Sequence, residues 1–300
     1  MALEKLSPCK VNLLLNILGK RPDGFHELES LMHPVNLHDR LAFETAPSGI
    51  DLTCSDPELP RDSGNLVHRA AAWFLQSASI PQGVRIHLEK RVPAAAGLGG
   101  GSANAAITLT GLNELFGCPL SVERLTAIAA KLGSDVPFFL QNKPALATGR
   151  GEVIRPLDPF PGLSGMCFLL VRPGFGVSTP WAYGELSRFP EALHGRPGRA
   201  ERLSELLRSK HESWPSDAFY NSLEAPVLQK YPVLALFQSF FREHGAKAAL
   251  MSGSGSTTFA LADSLPAAEK MAEDFRSKFG NQNWVTCVPV DPPGKGCAPD

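Results

Sequence analysis

The sequence predicts an α+β protein of two domains. Its 300 residues reach the size, about 250–300 residues, at which one compact core usually stops growing. Hydrophobic residues make up 43% of the chain and charged residues 20%, which predicts a substantial core and excludes a disordered chain. Strand-like and helix-like segments follow one another along the chain. We place the domain boundary between residues 158 and 159, giving domains of residues 1–158 and 159–300.

The first elements are predicted from alternation and turn chemistry. Alternating apolar residues predict a strand around residues 11–18, and Lys10 and Asn12 lie on the same face of it. Residues 19–24 contain a proline and an Asp-Gly pair, which favour a turn. Further strands are predicted at 41–44, 50–54 and 84–89, and a helix at 66–75.

Two helices in succession are predicted after the fourth strand. Apolar residues at helical spacing follow residue 102, and Gly117 ends this first helix in the position where helices favour glycine. Ser121 is a typical N-cap for the second helix, which stops at Gly133. Asp135 then lies in the loop just beyond.

The second half of the chain predicts the order β-α-β-β-α-β, which is the split βαβ arrangement of ferredoxin-like domains. The stretch 189–200 is predicted to be an exposed loop, and the tail from Asp291 to be frayed. The strands are predicted at 167–171, 248–251, 258–261 and 284–288, and the helical segments at 202–207, 223–241 and 267–279.

Charge and cysteine usage exclude several classes of partner. A formal net charge of -1 provides no general attraction to nucleic acid or to an anionic membrane. Apolar stretches are too short for a bilayer span, and the N-terminus lacks the pattern of a secretory leader. The six cysteines are scattered, which predicts reduced thiols rather than a zinc site or a disulfide framework. We expect a cytoplasmic protein, either a monomer or a weak homodimer.

A glycine run between a strand and a helix predicts a phosphate site. Gly97, Gly99, Gly100 and Gly101 let the backbone approach an anion closely, and the helix that follows presents unpaired N–H groups. We expect Ser102 to cap this helix and to reach a phosphate or a metal. The run lacks the lysine of a Walker A loop, and a helix rather than a second parallel strand follows it, unlike a dinucleotide-binding unit.

A second glycine-rich turn occupies residues 252–258 between two short predicted strands. Its simplest interpretation is a hairpin connection. A two-residue hairpin needs far less glycine and serine, so we also expect this turn to approach a ligand with its N–H and hydroxyl groups.

Taken together, these segments resemble the GHMP kinases, whose central motif is Pro-x-x-x-Gly-Leu-Gly-x-Gly-Ser/Ala-Ser-Ala. The matching segments stand in family order and span residues 7 to 256. They are 7–13 (SPCKVNL), 21–28 (RPDGFHEL), 97–106 (GLGGGSANAA), 133–139 (GSDVPFF) and 251–256 (MSGSGS).

The resemblance implies a fold and an activity. The fold is an N-terminal domain like domain 2 of ribosomal protein S5 and a C-terminal ferredoxin-like domain, with the active site in the cleft between them. The last strand and the tail would pack back on the N-terminal domain. The activity is phosphorylation of the 2-hydroxyl of 4-diphosphocytidyl-2-C-methyl-D-erythritol, a step of the non-mevalonate isoprenoid route, with ATP and Mg²⁺ as cofactors.

The resemblance also assigns roles to particular residues. Lys10 and Asp135 are the catalytic pair, with Asp135 as the base. Asn65 either contacts the adenine or only caps the helix that begins after it. For magnesium the sequence points to no ligand beyond Ser102, phosphate oxygens and waters. The ATP-binding residues are Asn65, Pro93, Ala94, Ala95, Ala96, Gly97, Leu98, Gly99, Gly100, Gly101, Ser102 and Ala103.

The substrate-binding residues implied by the resemblance divide into two groups. Phe25 and His26 would stack on and hydrogen-bond to the cytosine, although the family usually has tyrosine at position 25. Tyr183 would stack on its other face, with Trp181 as a competitor. Asn12, Gly253, Ser254 and Gly255 complete the set.

Three other functions compete with this interpretation. Another kinase of the family, for homoserine or mevalonate, is disfavoured because those substrates have no base for Phe25 and His26 to contact. A non-catalytic nucleotide-binding protein is disfavoured because Lys10 and Asp135 are both present. A nicotinamide oxidoreductase is disfavoured by Ser102 and by the order of the helices.

Overall fold

The computed structural model describes residues 2–141, 143–211, 213–215 and 217–291. The strands in these residues are β1 (Leu3–Lys20), β2 (His26–Ala46), β3 (Ile50–Cys54), β4 (Gly83–Glu89), β5 (Ala145–Thr148), β6 (Val153–Pro156), β7 (Cys167–Arg172), β8 (Tyr220–Asn221), β9 (Ala248–Met251), β10 (Thr258–Ala262) and β11 (Trp284–Pro289). The helices are α1 (Leu66–Ala78), α2 (Gly100–Leu115), α3 (Val122–Leu132), α4 (Thr179–Glu185), α5 (Pro190–Leu193), α6 (Arg199–Leu206), α7 (Glu224–Lys230), α8 (Pro232–Glu243) and α9 (Leu265–Phe279).

A seven-stranded sheet organises the N-terminal half. Its strands lie in the order β3-β4-β2-β1-β8, and β5 and β6 extend from β2. The strand predicted at 41–44 is only the end of β2, which runs for 21 residues beside β1. Helices α1, α2 and α3 cover one face, where Phe43 and Phe74 are fully buried in a shared core. Burying one such ring contributes about 1.5–3 kcal/mol.

A four-stranded antiparallel sheet organises the C-terminal half. Its order is β11-β7-β10-β9. The first and last strands of this half, β7 and β11, are therefore neighbours, as in the split βαβ arrangement. Alternate residues of β7 enter different cores: Leu169 and Val171 face the helices, whereas Phe168 and Leu170 face β1. The predicted α+β architecture is therefore confirmed.

Strand β1 belongs to the N-terminal sheet, and its central residues are buried on both faces. Val11 and Leu13 share a core with Phe168 and Leu170 of the C-terminal sheet. The two-residue strand β8 also returns to pair with β1 in parallel. Residues of the C-terminal half thus pack on the N-terminal sheet, and the boundary at 158 and 159 stays a prediction.

Two local predictions need correction. Helix α2 begins at Gly100 and its N-cap is Gly99, so Ser102 lies inside the first turn and does not cap the helix. The stretch 223–241 is helical as predicted, and Pro232, at the first position of α8, divides it into two helices. The tail after residue 291 lies outside the described residues.

The second correction concerns the stretch 189–200, which is an exposed loop only in part, since both of its ends are helical. It contains α5 and leads into the start of α6, where the buried carboxylate of Glu29 accepts hydrogen bonds from the N–H groups of Gly198, Arg199 and Ala200. A carboxylate stabilises a helix N-terminus in this way by pairing with its free donors. Composition alone does not reveal this anchor, since Glu29 is about 170 residues away in sequence.

Candidate active site

A cavity of about 1050 Å³ lies between the two halves of the molecule. Its walls come from β1, the turn before β2, the glycine run, residues 134–135, the β5–β6 turn, α4 and the turn between β9 and β10. The predicted site residues that line it are Lys10, Asn12, Phe25, His26, Pro93, Ala94, Ala95, Ala96, Gly97, Leu98, Gly99, Gly100, Gly101, Ser102, Asp135, Tyr183, Gly253, Ser254 and Gly255.

The glycine run forms one end of the cavity, which we call the phosphate end (residues 93–102 and 252–257). Gly97 and Gly99 have left-handed backbone conformations, with φ values of 75° and 69°. No side chain caps α2, so the N–H groups of its first turn are free of intrahelical partners and point toward the cavity end of the helix. Together with the helix dipole, these donors favour an anion.

A buried carboxylate braces the start of this glycine run. Asp39 is fully buried within β2 and accepts hydrogen bonds from the backbone N–H groups of Arg91 and Val92 at 2.7 and 2.8 Å. Its other oxygen accepts from the ammonium of Lys90 and from the side-chain amide of Asn104 on α2. One side chain therefore ties the strand before the run to the helix after it.

The second glycine-rich turn is the predicted hairpin connection between β9 and β10, and it docks on the first run. The hydroxyl of Ser252 donates to the carbonyl of Gly97 at 2.9 Å, and the N–H of Thr257 donates to Ala96. A Cβ on Gly97 would lie only 2.1 Å from the Ser252 carbonyl oxygen. The absence of a side chain at Gly97 thus permits this contact.

Two side chains hold the second turn from behind. The amide of Asn221 donates to the carbonyls of Met251 and Gly253 at 2.8 and 2.7 Å. The buried carboxyl of Glu224 accepts from the N–H of Met251 at 2.7 Å, and burial raises its pKa to about 7. Neither residue stands out in the sequence, because their partners lie about 30 residues away.

Lys10 and Asp135 meet in the wall of the cavity. The Lys10 ammonium is 3.5 Å from a carboxylate oxygen of Asp135, and it also donates to the side-chain oxygen of Asn12. Lys10 is buried, whereas the side chain of Asp135 is 35% exposed to the cavity. The stem of Lys10 lies against Gly99, where an added Cβ would be 3.1 Å from its Cε. The structure therefore joins the predicted acid–base pair to the glycine run.

Another part of the cavity wall, which we call the base end, consists of the side chains of Phe25, His26, Arg150 and Tyr183. The rings of His26 and Tyr183 have centroids 5.2 Å apart and are tilted by 42°. Burial, with a smaller contribution from the charge of Lys20, lowers the pKa of His26, so its imidazole is neutral at neutral pH. Burial and the nearby charge of Asp135 raise the pKa of the Tyr183 hydroxyl, which is therefore protonated.

Three predicted or competing residues lie elsewhere. Asn65 caps α1, accepting from the N–H of Val67 at 2.9 Å and donating to the carbonyl of Pro60, and it does not line the cavity. Ala103, a residue of α2, is buried in the core, and its backbone N–H donates to the carbonyl of Gly99. Trp181 packs on Tyr231 and on the ammonium of Lys230, whereas Tyr183 lines the cavity.

The described residues 2–141, 143–211, 213–215 and 217–291 show neither a metal cluster nor a membrane-spanning helix. Those residues contain no group of three or more His, Cys, Asp or Glu side chains that could hold a metal ion. None of their helices has the length and apolar character needed to cross a membrane.

Comparison with known proteins identifies the class. The model of the GHMP kinases N terminal domain matches residues 65–143, and that of the GHMP kinases C terminal region matches residues 191–281. The chain therefore belongs to the GHMP kinase family. A homoserine kinase from Cytophaga hutchinsonii, 20% identical, shares the fold with a TM-score of 0.72 over 96% of this chain and 94% of its own.

Closer relatives define the branch of the family. A 4-diphosphocytidyl-2-C-methyl-D-erythritol kinase from Synechococcus sp. is 40% identical over 94% of this chain and 92% of its own length. The one from Methylacidiphilum infernorum is 43% identical over 86% of each. A solved structure of a 4-(cytidine 5'-diphospho)-2C-methyl-D-erythritol kinase, 38% identical, has a TM-score of 0.79 over 96% of this chain and 99% of its own. Within the GHMP family the chain therefore groups with the 4-diphosphocytidyl-2-C-methyl-D-erythritol kinases.

Proposed function

We propose that the protein transfers the γ-phosphoryl group of ATP to the 2-hydroxyl of 4-diphosphocytidyl-2-C-methyl-D-erythritol, giving the 2-phosphate and ADP. This is a step of the non-mevalonate route to isoprenoid precursors. The observation that carries the proposal is the position of Lys10 and Asp135, 3.5 Å apart, between a backbone anion cradle and an aromatic pocket in one cavity. In this arrangement the substrate hydroxyl would react beside Lys10 and Asp135, with the triphosphate of ATP in the cradle and the cytidine of the substrate in the aromatic pocket.

Asp135 is the base in this proposal. Its carboxylate takes the proton of the substrate hydroxyl as the bond to phosphorus forms. The ammonium of Lys10, 3.5 Å from this carboxylate, orients the hydroxyl, and Asn12 holds Lys10 in place through the hydrogen bond between them. The side-chain amide of Asn12 is itself fixed by the hydroxyl of Ser30 at 2.8 Å.

The phosphate end would bind the polyphosphate of ATP. The free N–H groups at the start of α2 supply donors that need no reorganisation during the reaction. The donor set fits a magnesium ion held mainly by phosphate oxygens, with the hydroxyl of Ser102 as the protein ligand. Bound there, magnesium would neutralise the charge on the phosphates.

The base end would bind the cytosine. Phe25 and Tyr183 offer ring faces for stacking, and the neutral imidazole of His26 offers both a donor and an acceptor to the edge of the base. Gly253, Ser254 and Gly255 would contact the part of the substrate near Asn12, since an added Cβ on Gly253 would lie 3.5 Å from the Asn12 side-chain oxygen.

One assay tests the reaction. Purified protein is incubated with Mg-ATP and 4-diphosphocytidyl-2-C-methyl-D-erythritol, and ADP formation is followed. Homoserine and mevalonate serve as alternative acceptors under the same conditions. We expect ADP only with the cytidine-linked substrate; no ADP above background, or turnover of homoserine or mevalonate instead, would reject the proposal.

Two expectations from the sequence stay predictions. These are the cytoplasmic location and the assembly state, a monomer or a weak homodimer. Size-exclusion chromatography with light scattering measures the second directly.

A further inference from the structure

We infer that Arg150 is a positioning residue of the base end, acting through Phe25. Its guanidinium carbon lies 4.5 Å from the centroid of the Phe25 ring, and both residues line the cavity. The inference rests on the proposed function, because it assigns to the ring the task of stacking on the substrate's base.

Phe25 needs such support because its ring is 51% exposed. Its backbone is fixed: the N–H donates to the Asp23 carboxylate at 3.1 Å, and the carbonyl accepts from the N–H of Arg21 at 2.8 Å. These bonds hold the main chain of the turn but leave the side-chain rotamer free. A ring that must be ordered on binding weakens affinity, whereas a ring held in advance does not.

Arg150 is itself held in place, which lets it hold another side chain. The carboxylate of Glu152 accepts from the backbone N–H of Arg150 at 2.6 Å and from its Nε at 3.3 Å. The β5–β6 turn that carries Arg150 is tied to β2, because the N–H of Leu28 donates to the carbonyl of Gly149 at 2.9 Å. The guanidinium is therefore fixed relative to the start of β2, where Phe25 and His26 lie.

The planar guanidinium covers one face of the Phe25 ring and leaves the other for the substrate. Arginine suits this task because its flat, charged group stacks on an aromatic face. Phe25 has no hydroxyl with which to anchor its own ring, so the contact with Arg150 supplies the restraint from outside.

The test is a double-mutant cycle between Arg150→Met and Phe25→Leu. Methionine keeps a long, unbranched side chain but lacks the planar, charged guanidinium. For the wild-type background we expect Arg150→Met to raise the KM for the cytidine-linked substrate about two- to fivefold, the range of an exposed cation–π contact, with kcat and the KM for ATP unchanged. In the Phe25→Leu background the same change should have no effect, because the ring through which Arg150 acts is gone.

Two results would overturn the inference. An equal rise in KM in both backgrounds would mean that Arg150 contacts the substrate directly, for example its diphosphate; an unchanged KM in the wild-type background would mean that Arg150 does not position the ring. Calorimetric binding of CDP to all four proteins gives the same comparison without turnover. Arg155→Met, an exposed arginine on β6 outside the cavity, is the matched control. Failure of wild-type protein to form ADP would reject the proposed function instead, so the two failures are distinguishable.

Discussion

The two ends of the cavity differ in which groups line them: backbone groups at the phosphate end and side chains at the base end. The phosphate end consists of backbone groups. Side chains such as Asp39 and Glu224 support this backbone by accepting hydrogen bonds from its N–H groups. The base end consists of side chains: Phe25 and Arg150 lie on turns, His26 starts β2 and Tyr183 lies in α4. Phe25 is half exposed and Arg150 partly so. Polyphosphate needs a dense array of fixed donors, whereas a base needs ring faces and one polar edge.

This difference predicts how variants at each end will behave. At the phosphate end, the groups that shape the site also belong to the core, so changes there will alter stability together with ATP binding. At the base end, Tyr183 packs against the C-terminal core, whereas Phe25, His26 and Arg150 do not belong to a core. We therefore expect changes at these three residues to alter substrate affinity alone. The predictions below run from the largest expected effect to the smallest.

The largest effect is expected where the two ends meet. Asp135→Asn removes the proposed base and should lower kcat by about 10²- to 10⁴-fold, with the KM for ATP nearly unchanged. Asp158→Asn, an exposed carboxylate outside the cavity, is the control. Near-normal turnover by Asp135→Asn would place the base elsewhere.

Asp39→Asn tests the brace of the phosphate end. Losing the charge leaves Lys90 buried beside a neutral amide, which should lower the free energy of unfolding by about 3–5 kcal/mol. Asp51→Asn breaks an exposed ion pair with Arg85 and should cost about 1 kcal/mol or less. Urea unfolding measures both; equal costs would contradict the distinction between a buried brace and a surface pair.

The raised pKa of Glu224 predicts that the stability of the fold depends on pH. Burial raises its pKa in the folded protein from the ordinary 4.5 to about 7. The folded state therefore binds the proton more tightly than the unfolded state, so this carboxyl stabilises the protein most below pH 4.5. The contribution is lost as pH rises to about 7, by on the order of 3 kcal/mol.

The measurement for Glu224 is a difference between variants. Glutamine keeps the oxygen that accepts from Met251 and Gln238, so Glu224→Gln should lose this pH dependence while retaining the fold. Buried His33, with a pKa lowered to about 4, acts in the opposite direction and cancels in the comparison. Exposed Glu273→Gln is the control. Parallel stability curves for wild type and Glu224→Gln between pH 4.5 and 7 would refute the prediction.

Gly97→Ala tests the contact between the two glycine-rich turns. Its Cβ would overlap the Ser252 carbonyl, so we expect the KM for ATP to rise at least about tenfold. Gly117→Ala has the same backbone strain, with φ of 78°, but open space around the new methyl group. If both variants bind ATP equally well, the docking of the two turns does not shape the phosphate site.

The smallest effect is expected at His26. His26→Ala removes one hydrogen-bonding group from the base end and should raise the substrate KM about two- to tenfold. Both the KM for ATP and the urea midpoint should stay at wild-type values, as for the exposed control His87→Ala. A loss of stability in His26→Ala would contradict the proposed independence of the base end from the core.

Much of the fold and part of the site follow from local sequence. Alternation places Lys10 and Asn12 on one face of β1, and the hydrogen bond between them confirms it. Ser121 caps α3 and Gly117 takes a left-handed conformation after α2, as their residue types predict. Local patterns succeed here because helices, caps and turns depend on neighbours a few residues away.

Other parts of the site depend on distant partners. Asp39 meets Arg91 and Asn104 across separations of 52 and 65 residues, and Arg150 reaches Phe25 from the β5–β6 turn. Only the packed structure could separate Tyr183 from Trp181, or show that Asn65 caps a helix. The sequence by itself predicted the glycine run, the proposed catalytic pair of Lys10 and Asp135, and most of the order of elements. The tertiary structure decided which side chains brace and orient them, because those contacts exist only where distant strands and turns meet.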